Sequence, residues 1–177
     1  MKNDLVNELA SVKVDMVEAL SRFGDQSVNT IPFEGSWTAG QVADHVLMSA
    51  SAVAGALKGP VKPADRDPKQ HIQLMSDIFL NFDHKLKSPD FIIPSDKPKD
   101  KQALTNALTE TFDSIECSAA SGDLDMICTA FEMPTLGNLS KKELIWFTIV
   151  HTKRHIHQLK NIADHLDKQN IEKPALH

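Results

Sequence analysis

With 177 residues, 41% of them hydrophobic and 24% charged, the chain has the length and composition of a single folded domain spanning 1–177, which excludes a disordered or membrane-embedded protein. Its formal charge of -5 provides no basic footprint for nucleic acid, so no nucleic-acid partner is expected. Only seven glycines are available for tight turns, which disfavours an all-β fold.

The spacing of apolar residues predicts five amphipathic helices. The first covers about Asp4 to Phe23, where Leu5, Leu9, Val12, Met16, Leu20 and Phe23 recur every three or four positions before the stop signal Gly24. The second covers about Thr38 to Lys58. It opens on the capping-box pattern Thr38 to Gln41, buries a face of Val42, Val46, Ser49, Val53 and Leu57, and ends at Gly59-Pro60. A third is expected from Pro68 to Lys87, with Asp67 as N-cap, Pro68 at the first helical position and Ile72, Met75, Phe79, Phe82 and Leu86 as its stripe. The fourth covers about Lys101 to Ala119, with Leu104, Leu108, Phe112 and Ile115 inward. The fifth runs from about Lys141 to Leu166, after a second capping box at Ser140 and Glu143, with Leu144, Thr148, Ile162 and Leu166 in its stripe. Proline-bearing loops join them, and the one from Ser121 to Leu139 has room for a short extended piece around Ile127–Phe131. Long helices with one apolar face each pack as a bundle, so the expected class is all-α.

Several chemistries lack their residues. There is no HExxH, no Glu-x-x-His pair, no GxGxxG, no Walker loop and no GxSxG. Cys117 and Cys128 form no CxxC pair, which argues against thiolate zinc or thioredoxin-type chemistry and fits a reduced, cytoplasmic setting. Asp4, Glu8 and Asp15 break up the N-terminal segment, so it does not read as a leader. No stretch approaches the roughly 18 apolar residues of a membrane span.

The eight histidines hold the functional signal. His151 and His155 are four apart on the fifth helix and fall on its apolar stripe. A buried imidazole needs a partner, and two readings follow: bonding to backbone or water at the core edge, or ligation of a metal ion. His45 points along the apolar face of the second helix, which can neighbour the fifth in a bundle. Three core-facing imidazoles leave one coordination position of a metal free, as catalytic sites do. His157 should face away from the pair, and His165, His71, His84 and the terminal His177 read as solvated or structural. Gln41, one turn before His45, and Gln158, three after His155, are candidates to orient the ligands, though Gln41 has the cap as an equal role and Gln158 could be an ordinary edge residue. Trp37 is expected to staple its loop to the bundle rather than line a pocket.

The segment Ser36-Trp37-Thr38-Ala39-Gly40-Gln41-Val42-Ala43-Asp44-His45-Val46 resembles the W-[ST]-x-x-Q-[LV]-x-x-H-[LV] stretch of the DinB/YfiT-like superfamily. Met133-Pro134-Thr135-Leu136-Gly137-Asn138-Leu139-Ser140 is similar to its H-P-x-L-G-x-L-[ST] stretch, with Met133 where relatives commonly have histidine. His151 to Gln158 is similar to its H-x-x-x-H-x-x-Q signature. The resemblance implies a four-helix bundle of up-down-down-up topology, so that the Pro68–Lys87 helix becomes an insertion in the crossover. It implies one divalent metal, zinc or nickel first and iron third, held by His45, His151 and His155. It also implies a homodimer, and a metal-dependent thiol S-transferase or hydrolase acting on a small molecule with a low-molecular-weight thiol as cosubstrate. The alternative is a non-catalytic, stress-related protein that binds a metal or small ligand. The Met133 departure is expected to alter the pocket wall without touching the three histidines.

Overall fold

A computed structural model describes residues 2–172. The chain runs through α1 (Lys2–Ser21), α2 (Ala39–Lys58), β1 (Val61–Lys62), α3 (Ile72–Phe79), α4 (Lys101–Ser121), β2 (Ile127–Met133), β3 (Gly137–Ser140) and α5 (Lys141–Glu172). Single 3-10 turns at Ser27–Asn29 and Asp90–Ile92 interrupt the loops. The protein is thus mostly helical with a small three-stranded antiparallel sheet, and all-α describes it only approximately.

Helices α2, α4 and α5 begin where side chains satisfy their first amides. Thr38 accepts from the Gln41 amide at 3.1 Å and the Gln41 side chain accepts from the Thr38 amide at 3.0 Å, so α2 opens on a complete capping box. Asp100 accepts from the Ala103 amide and starts α4. Ser140 and Glu143 exchange the same reciprocal pair at the head of α5. Gly40 is required by close packing: a Cβ there would stand 2.9 Å from the Lys99 Cβ and 3.1 Å from the Val28 carbonyl oxygen.

α1 and α2 each pack against both α4 and α5. Leu9, Met16 and Leu20 of α1, Val42, Val46 and Val53 of α2, Leu108, Phe112 and Ile115 of α4, and Leu144, Leu159 and Ile162 of α5 are buried between them. No helix among the described residues is long and apolar enough to cross a membrane.

Two expectations are corrected. The third helix spans eight residues, Ile72–Phe79, rather than Pro68–Lys87. Asp67 does not cap it: its carboxylate accepts from the Lys69 amide, forming a local turn ahead of the helix. After Phe79 the Asn81 side chain accepts from the Asp83 amide, and the backbone leaves the helical path. Met75 is buried as expected, whereas Phe82 and Leu86 are exposed. The second correction concerns the all-α class: the extended piece expected around Ile127–Phe131 is present as β2, and it pairs with β3 in a hairpin and with β1 through Val61 and Cys128. The hairpin turns at Pro134-Thr135-Leu136, with Thr135 at φ 69° and Gly137 at φ 71°. The first, second, fourth and fifth helices stand within a few residues of their expected bounds, except that α5 continues to Glu172.

Candidate metal centre

His45 comes from the middle of α2, and His151 and His155 from adjacent turns of α5. All three are buried, with relative exposures of 2%, 5% and 8%. Their Nε2 atoms converge: His151 Nε2 lies 3.1 Å from His45 Nε2 and 3.2 Å from His155 Nε2. Among the described residues these imidazoles form the one cluster of three or more metal-ligating side chains, and no carboxylate joins it.

The hydrogen-bond network assigns the tautomers. His45 Nδ1 lies 2.8 Å from the Ile92 carbonyl oxygen, which can only accept, so this nitrogen carries the proton and donates. His155 Nδ1 likewise donates to Gln158 Oε1 at 2.9 Å. Both rings therefore turn an Nε2 lone pair inward, towards His151 Nε2. One proton on that atom can satisfy one of the two lone pairs and leaves the other short contact without a donor. A cation at the meeting point resolves the conflict. Three imidazoles on a tetrahedral ion with bonds of roughly 2.0 Å stand about 3.3 Å apart, close to the separations seen, and the donor set suits a borderline divalent ion.

Burial pushes the pKa of all three rings down. The effect is greatest at His151, where burial is reinforced by the other two imidazoles and by Arg154. His155 is lowered to about 3, by burial and then by His45. At His45 burial outweighs the opposing influence of the Ile92 carbonyl and Asp44. The rings are therefore neutral near pH 7, which is the ligating form.

The cluster lies in a pocket of about 820 Å³ whose walls are mainly apolar. The Trp37 ring is 5.1 Å from that of His45, and Phe147 and Phe79 stand 5.1 and 5.7 Å from His151. Trp37 therefore lines the pocket, contrary to expectation, while also packing on the core. Met133 lines it too, as its departure from the resemblance implied.

Of the two glutamines, Gln158 touches a ligand ring and Gln41 does not. Gln41 is held by the cap and reaches the Asp96 carboxylate at 3.1 Å. His157 is exposed at the pocket rim and stacks on Phe82 at 4.3 Å. His165 meets the Phe33 ring edge-on and bonds Gln169. His71 precedes α3 and donates its amide to Glu143, and the exposed His84 offers its carbonyl to Arg154. His177 lies outside the described residues. Cys128 is buried and Cys117 exposed, neither in the cluster.

Sequence reasoning missed two contributors. The Ile92 carbonyl is a backbone atom and has no residue-type signal. Arg154 sits between the two α5 histidines, and that position was its one clue. Its guanidinium donates to the carbonyls of Phe79, Asn81 and His84 and ties down the segment that follows α3.

A helical frame that gathers three neutral imidazoles in the wall of a mainly apolar pocket defines a candidate metal-site protein. The family model of the DinB superfamily matches residues 8–159, and the chain belongs to that superfamily. No curated protein and no solved structure matches it.

Proposed function

We propose that the chain is a divalent-metal protein that keeps one coordination position open to a small molecule, and that it acts as a metal-dependent thiol S-transferase or hydrolase. The observation that carries this reading is the convergence of His45, His151 and His155 in a pocket of about 820 Å³, with no fourth protein ligand among the described residues. Zinc or nickel is proposed first and iron third. The ion's part is Lewis acidity, which lowers the pKa of a thiol or water near neutral pH. The protein's residues hold and orient: Ile92 and Gln158 fix two rings, and the aromatic wall of Trp37, Phe79 and Phe147 limits water around them.

A second reading, non-catalytic binding of a metal or small ligand, is favoured by one observation. Among the described residues no Asp or Glu lines the pocket, so no carboxylate general base stands by. We further read the four long helices as the up-down-down-up bundle with α3 inserted in the crossover, and the working unit as a homodimer. Support for the bundle is the closed ring in which α1 and α2 each touch α4 and α5.

Metal analysis of the purified protein, beside His45→Ala, His151→Ala and His155→Ala, tests the proposal. The wild type should hold about one equivalent and each variant little. Equal content in all four sinks the three-histidine site. Assays of thiols against an electrophile such as chloro-dinitrobenzene then separate the readings, since absence of turnover with any thiol or ester favours the binding protein.

A further inference from the structure

The pocket has a sign as well as a shape. The chain contains 24 acidic residues and is negative overall, yet none of them lines this cavity among the described residues. The ionisable groups that do line it, apart from the imidazoles, are Lys85, Lys87 and Arg154. The Arg154 guanidinium is engaged by three backbone carbonyls, which hold the segment carrying the two lysines without cancelling its charge. Lys85 and Lys87 are exposed and make no hydrogen bond or ion pair among the described residues. Asp83 and Asp90, in the same stretch of chain, are not part of the lining.

The apolar side of the argument is equally local. Leu74, Ile78, Phe82, Leu86, Phe91 and Phe33 are exposed hydrophobic side chains, and all face this cavity. Such a concentration of accessible apolar surface around one concavity marks a ligand groove rather than ordinary surface scatter. Phe82 and Leu86 lie beyond the end of α3, and their side chains line the cavity wall.

On the reading that this cavity is where the protein meets its small molecule, we propose that it takes an amphiphilic organic anion. An apolar body lies against the Phe33, Leu74, Phe82 and Phe91 walls, and an anionic group of the carboxylate class is met at the mouth by Lys85 and Lys87. A cationic molecule is disfavoured by the same lining. Complementarity of sign supplies selectivity more than affinity, because exposed ion pairs are weak individually.

The test is calorimetric titration with three probes of one chain length, below their micelle concentrations: decanoate, decanol and decyltrimethylammonium. It is run on metal-free protein and on metal-loaded protein, with wild type and the Lys85→Ala/Lys87→Ala double variant. On metal-free wild type, decanoate should bind about tenfold more tightly than decanol, with the ammonium weakest. The double variant should lose that tenfold and keep its decanol affinity. Equal affinity for decanoate and decanol, or a double variant that still prefers decanoate, overturns the proposal. So does a preference that exists only in the metal-loaded protein, because the carboxylate would then be reporting the ion. A purified protein that takes up no metal would sink the metal reading above, while the preference on metal-free protein would still stand or fall by itself.

Discussion

Gln158 and the Ile92 carbonyl perform one task on two rings: each accepts a hydrogen bond from an Nδ1–H and leaves an Nε2 lone pair facing the cluster. Removing such an outer partner typically weakens a metal site by about 10- to 100-fold. Gln158→Leu is therefore expected to raise the dissociation constant for zinc about tenfold while the protein stays folded, as measured by competition against a chromophoric chelator. Unchanged affinity would make Gln158 an ordinary helix-edge residue. Much of the site was legible at this scale. The separation of His151 from His155 fixes them on one face, and the three-residue step to Gln158 puts its amide beside His155. Gln41 has the same one-turn relation to His45 but stays with Thr38, because the amide at the head of α2 is the nearer partner. A backbone carbonyl such as that of Ile92 is invisible to any reading of side chains.

Between elements, two polar junctions place the segments around the site. Glu143 is fully buried and takes a two-pronged bond from Arg66 at 2.9 and 2.7 Å, plus the amides of His71 and Ser140. It ties the segment ahead of α3 to the first turn of α5. Burial pushes the Glu143 pKa up, but the bonds from Arg66, Ser140 and His71 outweigh it and hold it below its ordinary 4.5. The folded state thus binds that proton less readily than the unfolded chain. The junction contributes fully above about pH 4.5, and its contribution is lost as the pH falls through the folded value. Arg66→Ala should cost about 3 kcal/mol at pH 7 in urea unfolding, because the carboxylate stays buried without its partner. The gap to wild type should narrow below about pH 4.5; a gap constant across pH would mean that Glu143 is not the group involved. The second junction is Arg154. Arg154→Ala should speed amide exchange in 80–91 by about tenfold or more, with α1 and α4 unchanged. Equal protection in the variant would show that the clamp is dispensable. These junctions also explain what the hydrophobic pattern could not reveal. The third helix is short because Asp67 and Glu143 take the amides before it, and Asn81 and Arg154 take the groups after it. The extended piece around Ile127–Phe131 was legible but its return strand was not, because few glycines disfavour an all-β fold without excluding one turn, which needs only Gly137 and a left-handed Thr135.

For the whole molecule, the three imidazoles join parts of the chain that are distant in sequence, since His45 and His151 are 106 residues apart. An ion that binds the folded state alone stabilises it by mass action, by about 2.7 kcal/mol at 100 times its dissociation constant. For a domain of this size the melting temperature should rise by roughly 5–10 °C under those conditions. His151→Ala should abolish the rise in a thermal melt with and without zinc, and an identical rise in the variant would place the ion elsewhere. The helical frame was legible because its long stripes repeat regularly, while the sheet and the pocket mouth depend on contacts between segments far apart in sequence. One contact joins access to chemistry. The carbonyl that accepts the hydrogen bond from His45 Nδ1–H belongs to Ile92, which also forms part of the pocket wall. Any displacement of that stretch withdraws the acceptor, and the imidazole proton is then free to exchange between its two nitrogens. On the proposed reading, a molecule that held this wall in place would also hold His45 in the tautomer that ligates, and so favour an ion it does not touch.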